Sequence, residues 1–125
     1  MNNNIKFRGR VTNDELIKLY SESGIFVFPS SLEGYGLTLI EAMKCGMAVV
    51  ASDIPSSKEL INDGVDGFLF EKNNSGMLAD KLKKLLLDKS LQEKISSNAI
   101  KRSEKFSNWE DACRKYYDLY LGAIK

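Results

Sequence analysis

Residues 29–51 decide the fold, and they read Pro-Ser-Ser-Leu-Glu-Gly-Tyr-Gly-Leu-Thr-Leu-Ile-Glu-Ala-Met-Lys-Cys-Gly-Met-Ala-Val-Val-Ala. An apolar run from Ile25 to Phe28 leads into this stretch and predicts a strand, after which a glycine-rich loop opens a helix. Bare backbone N–H groups at a helix N-terminus suit a phosphate. A carboxylate one turn into that helix suits a sugar diol. Together they predict a pocket for a nucleotide-linked sugar.

Two glycines, Gly34 and Gly36, flank Tyr35 in the loop. Because they lack side chains, backbone N–H groups there can approach a diphosphate, and the helix starting near Leu37 directs its positive end towards it. The plain alternative is that both glycines only permit positive φ in a tight turn. The neighbouring glutamates favour binding. Tyr35 would either line the sugar pocket or pack half-buried, and both interpretations stay open.

The carboxylates Glu33 and Glu41 bracket the loop with seven residues between them. Thr38-x-x-Glu41 is also a capping box, so Glu41 could simply accept a hydrogen bond from the backbone of Thr38. Alternatively, Glu41 could accept two hydrogen bonds from a vicinal diol, as an acidic residue does in dinucleotide-binding folds. We favour the diol. Glu33 lies in the loop with no helix to cap, so a purely stabilising role for it is harder to find.

This stretch resembles the donor-binding half of retaining glycosyltransferases with the GT-B fold, in particular glycosyltransferase family 4 (group 1). The signature of that family is a Pro-Ser strand end, a Glu-Gly-aromatic-Gly loop and two glutamates separated by seven residues. Here these features are residues 29–30, residues 33–36, and the pair Glu33 and Glu41. The strong part of the match covers residues 25–52, and a weaker part runs from about Ile5 to Tyr120.

The resemblance implies a role for each residue of the motif. Glu33 is the catalytic candidate: it would face the transferred sugar and position hydroxyls or stabilise positive charge at C1, without acting as a nucleophile. Glu41 would hold the ribose 2′- and 3′-hydroxyls, and the backbone amides of Leu37 and Thr38 would bind the phosphates. The implied donor-binding set is Gly34, Tyr35, Gly36, Leu37, Thr38 and Glu41.

Alternating strands and helices predict an α/β domain with a Rossmann-like parallel sheet of about four strands and flanking helices. The charged, alternating run from Ile5 to Val11 predicts an edge strand, and the remaining strands are predicted at residues 25–28, 48–51 and 67–70. Capping boxes predict helix starts at Thr12, Ser56, Ser90 and Ser107. The cluster from Asn62 to Gly67, including Asp63 and Asp66, predicts a turn.

Compared with the GT-B pattern, these four strands match the third to sixth of six. The resemblance therefore implies that residues 1–125 are a single, partial C-terminal domain, truncated relative to the GT-B fold, with the N-terminal acceptor domain absent. The upstream Arg and Lys that stabilise the leaving nucleotide in the family are absent too, and Arg8 and Arg10 do not replace them. We expect the chain alone to be inactive, and its vacated edge at residues 25–28 to promote self-association or a rearranged sheet.

Composition excludes several functions. The net charge of +1 gives no reason to expect nucleic-acid binding. With no histidine and two distant cysteines, Cys45 and Cys113, we expect no metal, and we expect both thiols to be small core hydrophobes. No signal peptide and no apolar run of about 20 residues is apparent. We expect a cytoplasmic location, with peripheral membrane attachment of the intact enzyme as an option.

The sequence thus predicts the donor-binding part of a retaining glycosyltransferase. The intact enzyme would transfer a sugar from a UDP-, GDP- or ADP-sugar to a glycan, lipid-linked or small-molecule acceptor, using no cofactor beyond the donor. One alternative is a non-catalytic nucleotide-sugar-binding module, or half of a split enzyme that needs a partner chain. Another is a generic α/β domain whose glutamates are only helix caps.

Overall fold

The computed structural model describes residues 3–106 and 109–123. Strands and helices alternate through the first part of the chain, and three helices complete it. In chain order the elements are α1 (Asn13–Glu22), β1 (Ile25–Phe28), α2 (Leu37–Lys44), β2 (Ala48–Ser52), α3 (Pro55–Leu60), β3 (Phe68–Phe70), α4 (Ser75–Leu87), α5 (Lys89–Ser103) and α6 (Trp109–Ala123).

The three strands form one parallel sheet in the order β1-β2-β3. Ile25 pairs with Ala48 at one end of the β1–β2 ladder, and Ser52 pairs with Phe70 at the end of the β2–β3 ladder. Every residue of the central strand β2 is buried. Continuous apolar strands covered on both faces are what a parallel sheet requires, so the predicted α/β class with flanking helices is confirmed.

Helices cover the two faces of the sheet with separate apolar clusters. On one face α2 contributes Leu39 and Met43, which join Val49 of β2. On the other face Val50 of β2 packs with Leu85 of α4 and residues of α5 and β3. Side chains of a strand alternate between faces, so neighbouring residues of β2 serve different clusters. This burial holds α2, and the loop in front of it, firmly on the sheet.

The predicted strand from Ile5 to Val11 is wrong, and the described residues contain three strands rather than about four. Residues 5–10 are exposed, with Phe7 83% accessible. A charged, alternating run forms a strand only beside a partner strand, and no described strand pairs with it. The following helix does begin with the predicted capping box: Glu15 N–H donates to Thr12 Oγ1 at 3.2 Å, and Thr12 N–H donates to Glu15 at 3.0 Å.

Two other predicted capping boxes are wrong. Ser56 lies inside α3, which begins at Pro55 after an Ile54 cap that has no side-chain bond. Proline fixes the φ of a first helical residue and therefore sets that start. Ser90 lies inside α5, because Asp88 accepts from Leu91 N–H at 3.0 Å and caps the helix earlier. The box predicted at Ser107 lies outside the described residues.

The two cysteines are not core residues, contrary to expectation. Cys45 caps the C-terminus of α2 and is exposed, and Cys113 in α6 is exposed as well. Met43 is the last buried residue of α2, and Lys44 and Cys45, which follow it, are exposed.

Strand β1 lies at an edge of the sheet. Among the described residues it pairs only with β2, and all four of its residues are half-buried rather than buried. No described strand pairs with its other side, and α1, the described helix before it, buries none of its residues. An apolar edge with unpaired N–H and C=O groups invites pairing with another strand.

We propose that the 125-residue chain associates with a second copy through this edge. Sedimentation velocity over a wide concentration range should show reversible self-association, and hydrogen exchange of the residue 25–28 amides should slow as the concentration rises. A strict monomer at high concentration, whose residue 25–28 amides exchange equally fast at every concentration, would contradict this proposal.

Candidate functional site

The predicted site lies at the carboxyl ends of β1 and β2. The chain leaves β1 at Phe28, runs through the loop of residues 29–36 and enters α2 at Leu37. In parallel α/β sheets, ligands bind at the edge formed by the carboxyl ends of the strands. The topology therefore places the glycine-rich loop where a ligand site is expected.

Gly36 forms the turn into α2. It is the N-cap residue, with left-handed φ and ψ of 79° and 43°, and no side chain caps the helix. Its carbonyl accepts from Leu39 N–H at 3.0 Å and from Ile40 N–H at 3.2 Å. Among the hydrogen bonds of the described residues, none uses the N–H groups of Leu37 and Thr38. The first helical turn thus presents two free donors at its positive end.

The two glycines of the loop differ in what they require. Gly36 needs its positive φ, and a Cβ there would also lie 3.1 Å from Leu60 Cδ1. Gly34 has no positive φ, and a Cβ on it would meet nothing within 4 Å. The plain turn interpretation accounts for Gly36. It does not account for Gly34, where a missing side chain keeps open space in front of the loop.

The Thr38-x-x-Glu41 capping box does not form. Because Gly36 is the N-cap, Thr38 is already the second residue of α2, and the helix start has no side-chain cap. Glu41 lies one turn into the helix and is exposed, whereas the neighbouring Ile40 and Ala42 are buried. The alternative role of Glu41 as part of a cap is therefore removed, and its side chain is exposed one turn after the free N–H groups.

Sequence reasoning missed Tyr20 of α1, which meets Glu41. The pKa of the Tyr20 hydroxyl is raised by burial, by the nearby charges of Glu41 and Cys45, and by a side-chain hydrogen bond to Glu41. The Tyr20 ring centroid lies 6.0 Å from that of Phe26, which lies 6.2 Å from Phe28. This row of rings along β1 holds the tyrosine against the core cluster that includes α2. No sequence motif marks the contact, since it depends on how α1 packs.

The remaining predicted residues lie on the loop surface. Glu33 and Gly34 are exposed, and Tyr35 and Leu37 have 51% and 63% of their surfaces accessible. Tyr35 is therefore only half covered by the protein. Glu33 lies in the loop and Glu41 lies one turn into the helix that follows it. Their roles towards a ligand stay predictions.

Two serine hydroxyls, those of Ser52 and Ser30, form hydrogen bonds that connect the loop to the end of β2. The Ser52 hydroxyl, at the end of β2, donates to the carbonyl of Ser30 and lies 3.4 Å from the carbonyl of Phe28. Ser30 Oγ in turn donates to the Leu32 carbonyl at 3.0 Å. Ser30 thus shapes the turn at the start of the loop. Sequence reasoning did not identify Ser52, although a polar residue ending an otherwise apolar strand was a usable signal.

The acidic residues of the segment before β3 shape the backbone. Asp63 accepts from Leu69 N–H at 2.9 Å. Asp66, 3% exposed, accepts from Asn62 N–H at 2.7 Å and from its side-chain amide at 2.9 Å. These bonds confirm the predicted turn. In the part of the chain that the structure describes, no group of three or more His, Cys, Asp or Glu side chains could hold a metal ion.

The basic residues of the N-terminal segment and part of the last helix are exposed. Arg8 and Arg10 are both exposed. In α6 Tyr120 is 67% exposed, whereas the side chains of Trp109 and Tyr116 lie outside the described residues. None of the described helices is both long and apolar enough to cross a membrane.

Residues 1–102 match the sequence model of a family described as glycosyl transferases group 1. The chain is 33% identical over 121 residues to the D-inositol 3-phosphate glycosyltransferase of Streptomyces bingchenggensis, covering 97% of this chain and 26% of that protein. It is 38% identical over 119 residues to the serotype-specific mannosyltransferase WbdA of Escherichia coli, covering 95% of this chain and 14% of WbdA. The chain thus spans about a quarter or less of these relatives' length.

Solved structures share the fold. The Anabaena protein HepE, crystallised with UDP and glucose, superposes with a TM-score of 0.87 at 26% identity, over 96% of this chain and 32% of HepE. The sucrose-phosphate synthase of Thermosynechococcus elongatus superposes with a TM-score of 0.86 at 28% identity, over 95% of this chain and 30% of the synthase.

The Tyr20–Glu41 contact makes a testable prediction. In Glu41→Gln the pKa of Tyr20 should fall towards its ordinary value, because the negative charge disappears, while the effect of burial remains. A pH titration of the tyrosine ring carbons by NMR measures this directly. Glu33→Gln is the matched control, since no contact links Glu33 to Tyr20, and it should leave the titration unchanged. An unaltered Tyr20 titration in Glu41→Gln would disprove the contact.

Proposed function

Because this chain belongs to the group 1 glycosyl transferases, we propose that it is the donor-binding part of a retaining enzyme of that kind. The observation that carries the proposal is the left-handed turn at Gly36, which leaves the N–H groups of Leu37 and Thr38 free one turn before the exposed carboxylate of Glu41. A nucleoside diphosphate has the two groups that complement this arrangement: an anionic diphosphate and a ribose diol.

The diphosphate binds at the start of α2. A helix N-terminus carries the equivalent of roughly half a positive charge, and its first N–H groups point along the axis towards the ligand. The open space at Gly34 lets phosphate oxygens reach the backbone. Because backbone N–H groups and the helix dipole supply the positive field, we infer that the site needs no metal ion.

The ribose binds at Glu41. A carboxylate has about four lone-pair positions, enough for two ribose hydroxyls even with the Tyr20 hydroxyl nearby. A hydrogen bond to a charged acceptor contributes about 1.5–3 kcal/mol, against about 0.5–1.5 kcal/mol for a neutral one.

Glu33 acts on the transferred sugar. Its exposed position in the loop, before the two glycines and therefore on the other side of them in sequence from Glu41, suits a donor whose sugar extends beyond the diphosphate. There the carboxylate orients sugar hydroxyls and stabilises positive charge that develops at C1 as the nucleotide leaves. Electrostatic stabilisation by a fixed group is a large contribution to catalysis. Glu33 is not a nucleophile in this proposal.

The donor is a UDP-, GDP- or ADP-sugar. The likeness to HepE, which was crystallised with UDP, supports a nucleotide donor. In the intact enzyme the sugar passes to a glycan, lipid-linked or small-molecule acceptor held by the N-terminal domain, and we place that enzyme in the cytoplasm or peripherally at a membrane. Without an acceptor site, the 125-residue chain binds donor and catalyses no transfer. A chain that works as half of a split enzyme would have the same donor site.

Titration of the labelled chain with UDP, GDP and ADP, followed through its NMR amide signals, tests this function. One nucleotide should shift the signals of residues 34–41 selectively. Glu41→Gln should lower the affinity for that nucleotide by about tenfold or more, because a charged acceptor of the ribose hydroxyls is lost. Glu33→Gln should leave nucleotide affinity unchanged, because the carboxylate faces the sugar.

Glu59→Gln is the matched control, since Glu59 is an exposed carboxylate in the next helix, α3. It should not change nucleotide affinity. The proposal fails if a well-folded sample shows no shift with any of the three nucleotides, or if Glu59→Gln weakens binding as much as Glu41→Gln does.

A further inference from the structure

The last residue of β2 is a buried polar side chain. Ser52 is 1% exposed and ends a strand whose other members are alanine and valine. A hydroxyl removed from water without a partner costs stability, so an apolar residue would be the simpler choice at this position. The presence of a serine calls for a specific hydrogen bond, and the structure contains one.

The Ser52 hydroxyl extends the link between β1 and β2 beyond their ladder. The register of the two strands ends at the pair Phe28 and Ala51. Past that point the hydroxyl donates to the Ser30 carbonyl, with the Phe28 carbonyl also in range at 3.4 Å. The first residues of the loop are therefore fastened to the buried central strand, although they no longer belong to the sheet.

A second hydrogen bond carries this constraint along the loop. Ser30 Oγ donates to the carbonyl of Leu32 at 3.0 Å, which is the residue directly before Glu33. The ring of Pro29 fixes its own φ between the strand end and Ser30. The hydroxyls of Ser52 and Ser30 thus connect the sheet to the backbone next to Glu33. The Glu33 side chain itself is exposed, and none of the hydrogen bonds of the described residues involves it.

We infer that Ser52 is a positioning residue for Glu33: its hydroxyl holds the Ser30–Leu32 turn so that the Glu33 carboxylate faces the donor sugar. The identity of the ligand, a donor sugar, rests on the proposed function. The link from Ser52 to the loop rests only on the hydrogen bonds. Ser52 is too buried to touch a donor, so it acts only through the loop. An exposed carboxylate on an unfastened loop would sample many orientations, and each interaction with the sugar would cost more entropy.

The first test is independent of any ligand and compares Ser52→Thr with Ser52→Val. These side chains have nearly the same shape and differ in the hydroxyl. Backbone 15N relaxation should show residues 31–34 as ordered in Ser52→Thr as in the unmodified chain, and more mobile in Ser52→Val, while residues 39–43 of α2 stay unchanged. Ser57→Ala is the matched control, because Ser57 is an equally buried serine whose hydroxyl has no partner.

The second test uses UDP and UDP-glucose as probes. Ser52→Val should reduce affinity for UDP-glucose by about threefold to tenfold, the value of one hydrogen-bonded contact, and should leave affinity for UDP unchanged. In a Glu33→Gln background, Ser52→Val should cause no further loss, because both changes remove the same interaction.

The outcomes separate this inference from the proposed function. If neither probe binds while Ser52→Val loosens residues 31–34, the proposed function fails and the mechanical link stands. Equal order in the Thr and Val variants overturns the inference. An equal loss of UDP affinity, or an undiminished loss in the Glu33→Gln background, overturns it as well.

Discussion

The pairing of β2 with a parallel strand on each side is the constraint on which the site depends. This pairing buries β2 completely and brings the carboxyl ends of β1 and β2 to the same edge of the sheet. The loop that leaves β1 must then turn sharply into α2, whose buried face packs on β2. Gly36 makes that turn in the left-handed conformation, and the N–H groups that a side-chain cap would have used stay open. Burial of the sheet thus creates the free donors.

The two glutamates have different surroundings, and this difference suits different roles. Glu41 is held on a helix, lies near the Tyr20 hydroxyl, and is exposed one turn after the open N–H groups. Glu33 lies on an exposed loop. The hydroxyls of Ser52 and Ser30 hold the backbone of this loop to the sheet, and they do not contact the Glu33 side chain. A carboxylate held on a helix suits a ribose, and a carboxylate on a loop suits the more variable sugar of a donor.

Most of the fold could be predicted from local pattern, and the errors share a cause. The β2 run and the start of α2 were predictable because buried strands and a glycine-opened helix leave clear signals. The strand expected at Ile5–Val11 was wrong because strand formation depends on a partner that lies elsewhere. The caps at Ser56 and Ser90 were wrong because a proline and an earlier aspartate decided those starts. Tyr20 could not be assigned because its contact comes from tertiary packing. Ser52 carried a usable signal as a polar residue ending an apolar strand, but the partner of its hydroxyl is set by tertiary packing.

The central claim is that the donor diphosphate binds at the Gly36 turn. The most direct measurement is a crystal structure of the chain with UDP bound. The account predicts diphosphate oxygens within about 3.2 Å of the Leu37 and Thr38 N–H groups, with the ribose hydroxyls donating to Glu41. An ordered nucleotide at any other place on the molecule, with the start of α2 unoccupied, would contradict it.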